Sequence, residues 1–102
     1  TLEKLKKEKD VSAMDVAKAL LDNGIHPPTM YFPLIVHEAL MVEPTETEPR
    51  EVLDHAIEVF RSIYQTAMEQ PESLHEMPLH TPVRRLDEVG AARNPKLRFS
   101  FE

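Results

Sequence analysis

Apolar residues recur along this chain with two different rhythms and then lose their rhythm altogether. Between residues 12 and 23, Ala13, Val16, Ala17, Leu20 and Leu21 fall at steps of three and four and share one face, the spacing of an amphipathic helix. Ser12 and Asp15 have capping-box spacing, with Asp in the place of Glu. Val11 and Val16 can form the apolar staple that fixes how the chain enters the helix. Asn23-Gly24 supplies a left-handed stop. A second helix is predicted over about 47–68, where Leu53, Ala56, Ile57, Phe60, Ile63, Tyr64 and Ala67 repeat at helical steps. Asp54, His55, Glu58, Arg61 and Gln65 form its polar face. Thr45 with Glu48 again has capping-box spacing, so the start is expected near Thr45 or Thr47, and the helix must end before Pro71.

Between the helices lie two short apolar runs, expected as strands at about 30–32 and 39–43. The order helix, strand, strand, helix predicts an α+β fold, with helices packed on a short antiparallel sheet. Two strands alone are marginal in water, so something else should complete the sheet. The opening TLEKLKKEKD alternates lysines with acids and is expected as a solvated helix tail or linker. From Pro71 onward periodicity fades and four prolines appear. RRLDEVGAAR has room for one or two helical turns, and LRFSF alternates like a strand, with Leu97, Phe99 and Phe101 on one side. The expected division is therefore a 1–70 α+β core and a 71–102 irregular tail that lies on the core or on a partner domain.

With 102 residues the chain is one domain at most. Its 41% hydrophobic and 29% charged residues are those of an ordered chain rather than a disordered one. A net charge of −6 argues against a nucleic-acid partner, because phosphate neutralisation needs a basic face. No apolar run approaches the roughly 18 residues of a membrane span. Zero cysteines remove disulfides, thiolate catalysis and cysteine-zinc sites, and fit a cytoplasmic origin. The chain opens on Thr1, which fits a longer parent or simple processing.

Candidate chemistry is sparse. His75-Glu76 with His80 imitates HExxH, but the second histidine comes one residue late and Pro78 breaks the helix a zinc site would need. No metal site is expected. Glu46 and Glu48 are most simply helix-dipole partners. Glu43, closing an apolar strand before a proline turn, is expected to be partly buried and hydrogen-bonded. Arg84, Arg85, Arg93, Lys96 and Arg98 make the tail locally basic. No self-contained catalytic set is present.

The stretch GIHPPTMYFPLIVHEALMVEPTETE, running into REVLD, closely resembles the C-terminal domain of glycine decarboxylase, the P-protein of the glycine cleavage system; in the two-chain bacterial form this is subunit 2. RRLDEVGAARNPKLRF is similar to that family's C-terminal end. The resemblance implies the small domain of an aspartate-aminotransferase-like, fold type I, pyridoxal-phosphate enzyme. Such an enzyme decarboxylates glycine and passes the aminomethyl group to the lipoyl arm of H-protein. The Schiff-base lysine and its motif are not in this sequence, so the cofactor would be anchored outside it and the segment would be inactive by itself. The family supplies a further strand just upstream, which would complete the sheet. By the same resemblance the small domain forms one wall of the cleft, with His26, Thr29, Glu43, Thr45 and Glu46 nearest to it. Implied partners are the rest of the enzyme, including subunit 1 in a two-chain form, lipoylated H-protein and glycine. Related aminotransferases hold the substrate carboxylate with an arginine on a strand that here begins His37-Glu38-Ala39 with no arginine, so the resemblance implies a weakly held departing carboxylate, and placing arginine at Glu38 tests it: faster decarboxylation would show the idea wrong. The competing expectation is a free-standing α+β binding or regulatory module, which should melt cooperatively alone, whereas a cut-off small domain should expose apolar surface.

Overall fold

The computed structural model describes residues 1–101. Helix α1 spans Glu3–Lys9 and α2 spans Ala13–Asp22. Strands β1 and β2 are Thr29–Met30 and Leu40–Met41. Helices α3, α4 and α5 span Arg50–Glu69, Pro71–His75 and Glu88–Arg93. The opening charged stretch is thus a helix. Lys7 and Lys6 pair with Glu3 and Asp10 one turn away, each at 2.5 Å, and Leu2 and Leu5 lean on the core. Asp10 then stops the helix in the left-handed region.

Helix α2 starts as its sequence dictates. Ser12 is the N-cap, its hydroxyl accepting from the Asp15 amide at 3.2 Å while the Asp15 carboxylate accepts from the Ser12 amide at 2.9 Å. Val11 and Leu20 are wholly buried, with Val16 beside them.

The start of α3 departs from expectation. Its N-cap is Pro49, in extended backbone, and Thr45 to Glu48 form a turn closed by Glu48 N–H to Thr45 C=O at 3.2 Å. No capping box forms at Thr45. The residue before a proline is pushed out of the helical region, so Glu48 cannot serve as the third helical position. On α3 the buried stripe is Val59, Ile63 and Ala67, while Ile57 and Tyr64, expected inside, face out.

The strands are two residues each rather than three and five, paired antiparallel with Thr29 opposite Met41 and Met30 opposite Leu40. Pro27 and Pro28 lack amide donors, which ends the ladder on one side. Tyr31 turns into the left-handed region at φ 56 and ends it on the other. The core is also not a helical layer on a sheet. Val11, Val16, Leu20, Val59, Ile63, Ala67 and Leu74 make it from the entrance to α2 and from α2, α3 and α4, and the ribbon offers it only half-buried Leu40. The element content remains α+β.

Beyond Pro71 two features differ from the expected irregular tail. Helix α4 puts Leu74 into the core, and Pro78 is fully buried behind it. LRFSF is no strand: Leu97, Phe99 and Phe101 stand in solvent, Phe99 and Phe101 edge to face at 4.8 Å. A strand needs a neighbour for its amides and carbonyls, and none lies alongside among the described residues. The radius of gyration is 15.7 Å, against about 13 Å for a compact chain of this length. The accessible surface is 8147 Å², whereas a compact monomer of this mass exposes about 5,900 Å².

Candidate functional site

A groove of about 710 Å³ opens where the α2–β1 connection, the end of β2 and the first half of α3 meet. Gly24, at φ 75, turns the chain out of α2 and into the groove's first wall. Pro27 and Pro28 stiffen that wall, because proline has little conformational freedom to lose. Ile25, Met41, Val42, Val52, Leu53 and Phe60 make the floor apolar. His26, Thr29, Glu43, Glu48 and His55 supply its polar groups.

Of the five residues expected at a cleft, the structure brings His26, Thr29 and Glu43 together in this groove. Thr45 and Glu46 lie outside its lining, and the Thr45 hydroxyl pairs with that of Thr47 at 2.7 Å. Glu43 is exposed rather than half-buried, because the ladder stops at Met41, short of it. Two lining groups were read differently in the sequence, His55 as solvated and Glu48 as a helix-dipole partner. The signal for His55 was its place one turn beyond Val52, on the edge of the apolar stripe.

The groove holds two carboxylates and two imidazoles, with no lysine or arginine in its lining. Imidazole can take or give a proton near neutral pH, and carboxylates can accept hydrogen bonds. A phosphate-bearing cofactor needs cationic or amide donors, and a Schiff base needs a lysine. The lining therefore does not fit pyridoxal phosphate itself.

Glu38 does not lie on a cleft-facing strand. It precedes β2 at φ 51, and its carboxylate turns back to accept the Ala13 amide at the N-terminus of α2, at 2.6 Å. Arginine at Glu38 would remove that acceptor and put a cation on the positive helix end, so any effect on catalysis would come together with a loosened α2 start.

The two histidines of the imitation zinc motif are tied to different carboxylates. His75 reaches the Asp10 carbonyl at 3.0 Å and lies 4.0 Å from Asp15, whereas His80 Nδ1 is 3.1 Å from Asp22. Among the described residues no three His, Asp or Glu side chains converge as metal ligands.

Both carboxylates instead fasten the chain after α4 onto α2. Burial pushes the Asp15 carboxyl up, but bonds from Ser12 and from the Arg85 guanidinium at 2.8 Å outweigh it and hold it below the ordinary carboxylate range. Burial likewise pushes Asp22 up, and the Leu79 and His80 amides, at 2.9 and 2.6 Å, with the His80 ring, bring it below its ordinary value. Arg85 also donates to the Met77 and Leu74 carbonyls, at 2.5 and 3.0 Å. Two of the tail's basic residues are thereby structural, since Arg84 donates to the Glu76 carbonyl at 3.0 Å.

The family model described as glycine dehydrogenase, C-terminal domain, matches residues 1–82. A probable glycine dehydrogenase (decarboxylating) subunit 2 from Treponema denticola is 59% identical over 99 residues, covering 97% of this chain and 20% of the relative. Proteins of the same description from Thermosipho africanus and Caldanaerobacter subterraneus are 55% and 61% identical, covering 100% and 92% of this chain and 21% and 19% of theirs. The chain thus spans about a fifth of the length of these relatives, and corresponds to their C-terminal part.

Proposed function

This chain belongs to the family of glycine dehydrogenase C-terminal domains, and we propose that it forms one wall of the active-site cleft of a glycine dehydrogenase (decarboxylating) as part of its subunit 2. The observation that carries this reading is the groove that gathers His26, Thr29 and Glu43 on one side of the ribbon, rigid, part apolar and without a phosphate-binding cation. The whole enzyme is an aspartate-aminotransferase-like pyridoxal-phosphate enzyme. It decarboxylates glycine in the cytoplasm and hands the aminomethyl group to the lipoyl arm of H-protein. The cofactor acts there as an electron sink and is anchored on the larger part of the enzyme.

Within that enzyme, this chain excludes water from one side of the cleft and positions hydrogen-bonding groups toward it. Glu43 and Glu48 repel a second anion, and His26 and His55 offer ring nitrogens for hydrogen bonds at the rim. Thr45 and Glu46, on the turn leading into α3, face the same cleft in the assembled enzyme. Residues 1–70, with Leu74 and Pro78 from the following segment, make its small-domain core. The chain after α4 is fastened to that core at Asp15 and Asp22, and residues 94–101 lie on the large domain. The name subunit 2, borne by the relatives, supports a companion subunit 1. The surplus of exposed surface favours this reading over a free-standing module.

The test is His26→Ala and Glu43→Gln in the full-length subunit assembled with its companion. Each is expected to lower kcat/KM for carbon dioxide release from glycine by about tenfold or more, because misplacing a cleft wall spoils the alignment of reactants. The cofactor absorbance should stay as in the unaltered enzyme. Unchanged kcat/KM in both variants would remove the groove from the cleft.

A further inference from the structure

The loop between the strands, residues 31–39, closes the ribbon at the end away from the groove. There Leu34 and Ile35 are 84% and 90% exposed, with Phe32 half out beside them. We propose that this turn, Phe32–Val36, is a preformed apolar knuckle that seats in a recess of the polypeptide preceding this segment in the full-length subunit. The proposal rests on the family membership and not on the groove reading.

The knuckle is built rather than loose. Its tip is closed by Val36 N–H to Pro33 C=O at 3.0 Å, and its base by Tyr31 N–H to Ala39 C=O at 2.9 Å. Its descending leg is fastened to both N-terminal helices. The Glu38 carboxylate accepts the Ala13 amide, the Leu2 amide donates to the Glu38 carbonyl at 2.9 Å, and the Thr1 hydroxyl donates to the His37 carbonyl at 2.5 Å. Tyr31 and Glu38 both lie in the left-handed region, at φ 56 and 51, which non-glycine residues adopt only at a cost in free energy. Surrounding bonds therefore hold a strained shape whose outcome is to lift two aliphatic side chains into water. Such strain marks a place where the shape is used, and a rigid apolar tip loses little entropy when it is covered.

The position of the knuckle selects its occupant. In the relatives about four-fifths of the polypeptide lies outside the part matched here, and this chain is their C-terminal part. The Thr1 hydroxyl and the Leu2 amide, where that polypeptide joins, are bonded to the knuckle's own leg at His37 and Glu38. The preceding chain thus starts beside the knuckle and reaches it tethered, at high effective concentration, whereas a second copy or the companion subunit must arrive by diffusion. The turn itself, Phe32-Pro33-Leu34-Ile35-Val36, carries no charge with which to select a distant partner. The surface beyond that of a compact monomer, roughly 2,200 Å², is of the size one side hides in a large permanent interface. The groove lies at the open end of the ribbon, so seating the knuckle leaves it clear.

The experiment is maleimide labelling of Ile35→Cys in the full-length subunit, read at the residue-35 peptide by mass spectrometry, native against urea-unfolded. Native labelling should be slower by at least about tenfold in the subunit alone and independent of protein concentration, since a buried site reacts only through opening. Labelling as fast as in urea would overturn the proposal. Protection that appears only when the companion subunit is added would overturn it, and so would protection that fades on dilution; these assign the knuckle to the companion or to a second copy. Leu34→Cys gives the same readout should Ile35→Cys fail to fold.

Discussion

Asp15 joins three parts of the molecule, and a double-mutant cycle with Arg85 measures how firmly. The carboxylate is nearly buried at the third position of α2, and both oxygens are engaged. One oxygen closes the capping box with Ser12; the other accepts from Arg85, which also binds the carbonyls of Leu74 and Met77. Loss of the cap costs about 1 kcal/mol. The ionic hydrogen bond lies between two limits, about 0.2–1 kcal/mol for an exposed pair and about 1.5–3 for a charged hydrogen bond. With the acid side chain 9% exposed and the arginine 34%, the pair should fall between those limits, at about 1–2 kcal/mol. Asp15→Ala should therefore lower the stability of this chain by about 2–3 kcal/mol. Asp15→Asn, which keeps an acceptor for the Ser12 amide, should cost only about 1–2. Urea unfolding of the parent, Asp15→Ala, Arg85→Ala and the double variant reads the coupling directly. A coupling energy below about 0.3 kcal/mol would show that the segment around Arg85 is not fastened to α2.

Two further outcomes follow from the same packing. Leu74→Ala, in the short helix after Pro71, should cost about 2–5 kcal/mol in urea unfolding; Leu97→Ala and Phe99→Ala, both in solvent, should stay within about 0.5 kcal/mol of the parent. Asp15 and Asp22 are both held below their ordinary values, so the stability they add is fully present above about pH 4 and is lost as pH falls through their lower folded values. Urea midpoints should thus be level between pH 5 and 7 and drop toward pH 3. Asp22→Asn should make that drop shallower, and an unchanged acid profile in Asp22→Asn would show that the Leu79 and His80 amides are not held by this carboxylate.

How much could be read in advance depended on the range of the interactions. The capping box at Ser12 and Asp15, the turn at Gly24 and the end of α3 before Pro71 are decided by residues within four positions of one another, and the chain shows all three. The same local rule misled at Thr45, where box spacing was present but Pro49 held Glu48 out of the helix. Of the polar residues lining the groove, His26, Thr29 and Glu43 were picked out through the resemblance. Glu48 and His55 were not, because an exposed polar residue on a helix looks the same whether or not a groove opens beside it.

Residue order alone was enough for two helices, the capping box that opens α2, a proline-stiffened connection, the lack of a lysine-bearing cofactor motif, and the family. These follow from local sterics, period and motif. Contacts between distant segments set the rest: that α1 and α4 lie against the core, that the strands shrink to two residues each, that Glu38 accepts the Ala13 amide of α2, and that Asp15 and Asp22 hold a segment more than 50 residues away. Each of these depends on which surfaces meet once loops close. The free energy of such contacts comes from burial and from charges brought out of water, quantities that no window along the chain contains.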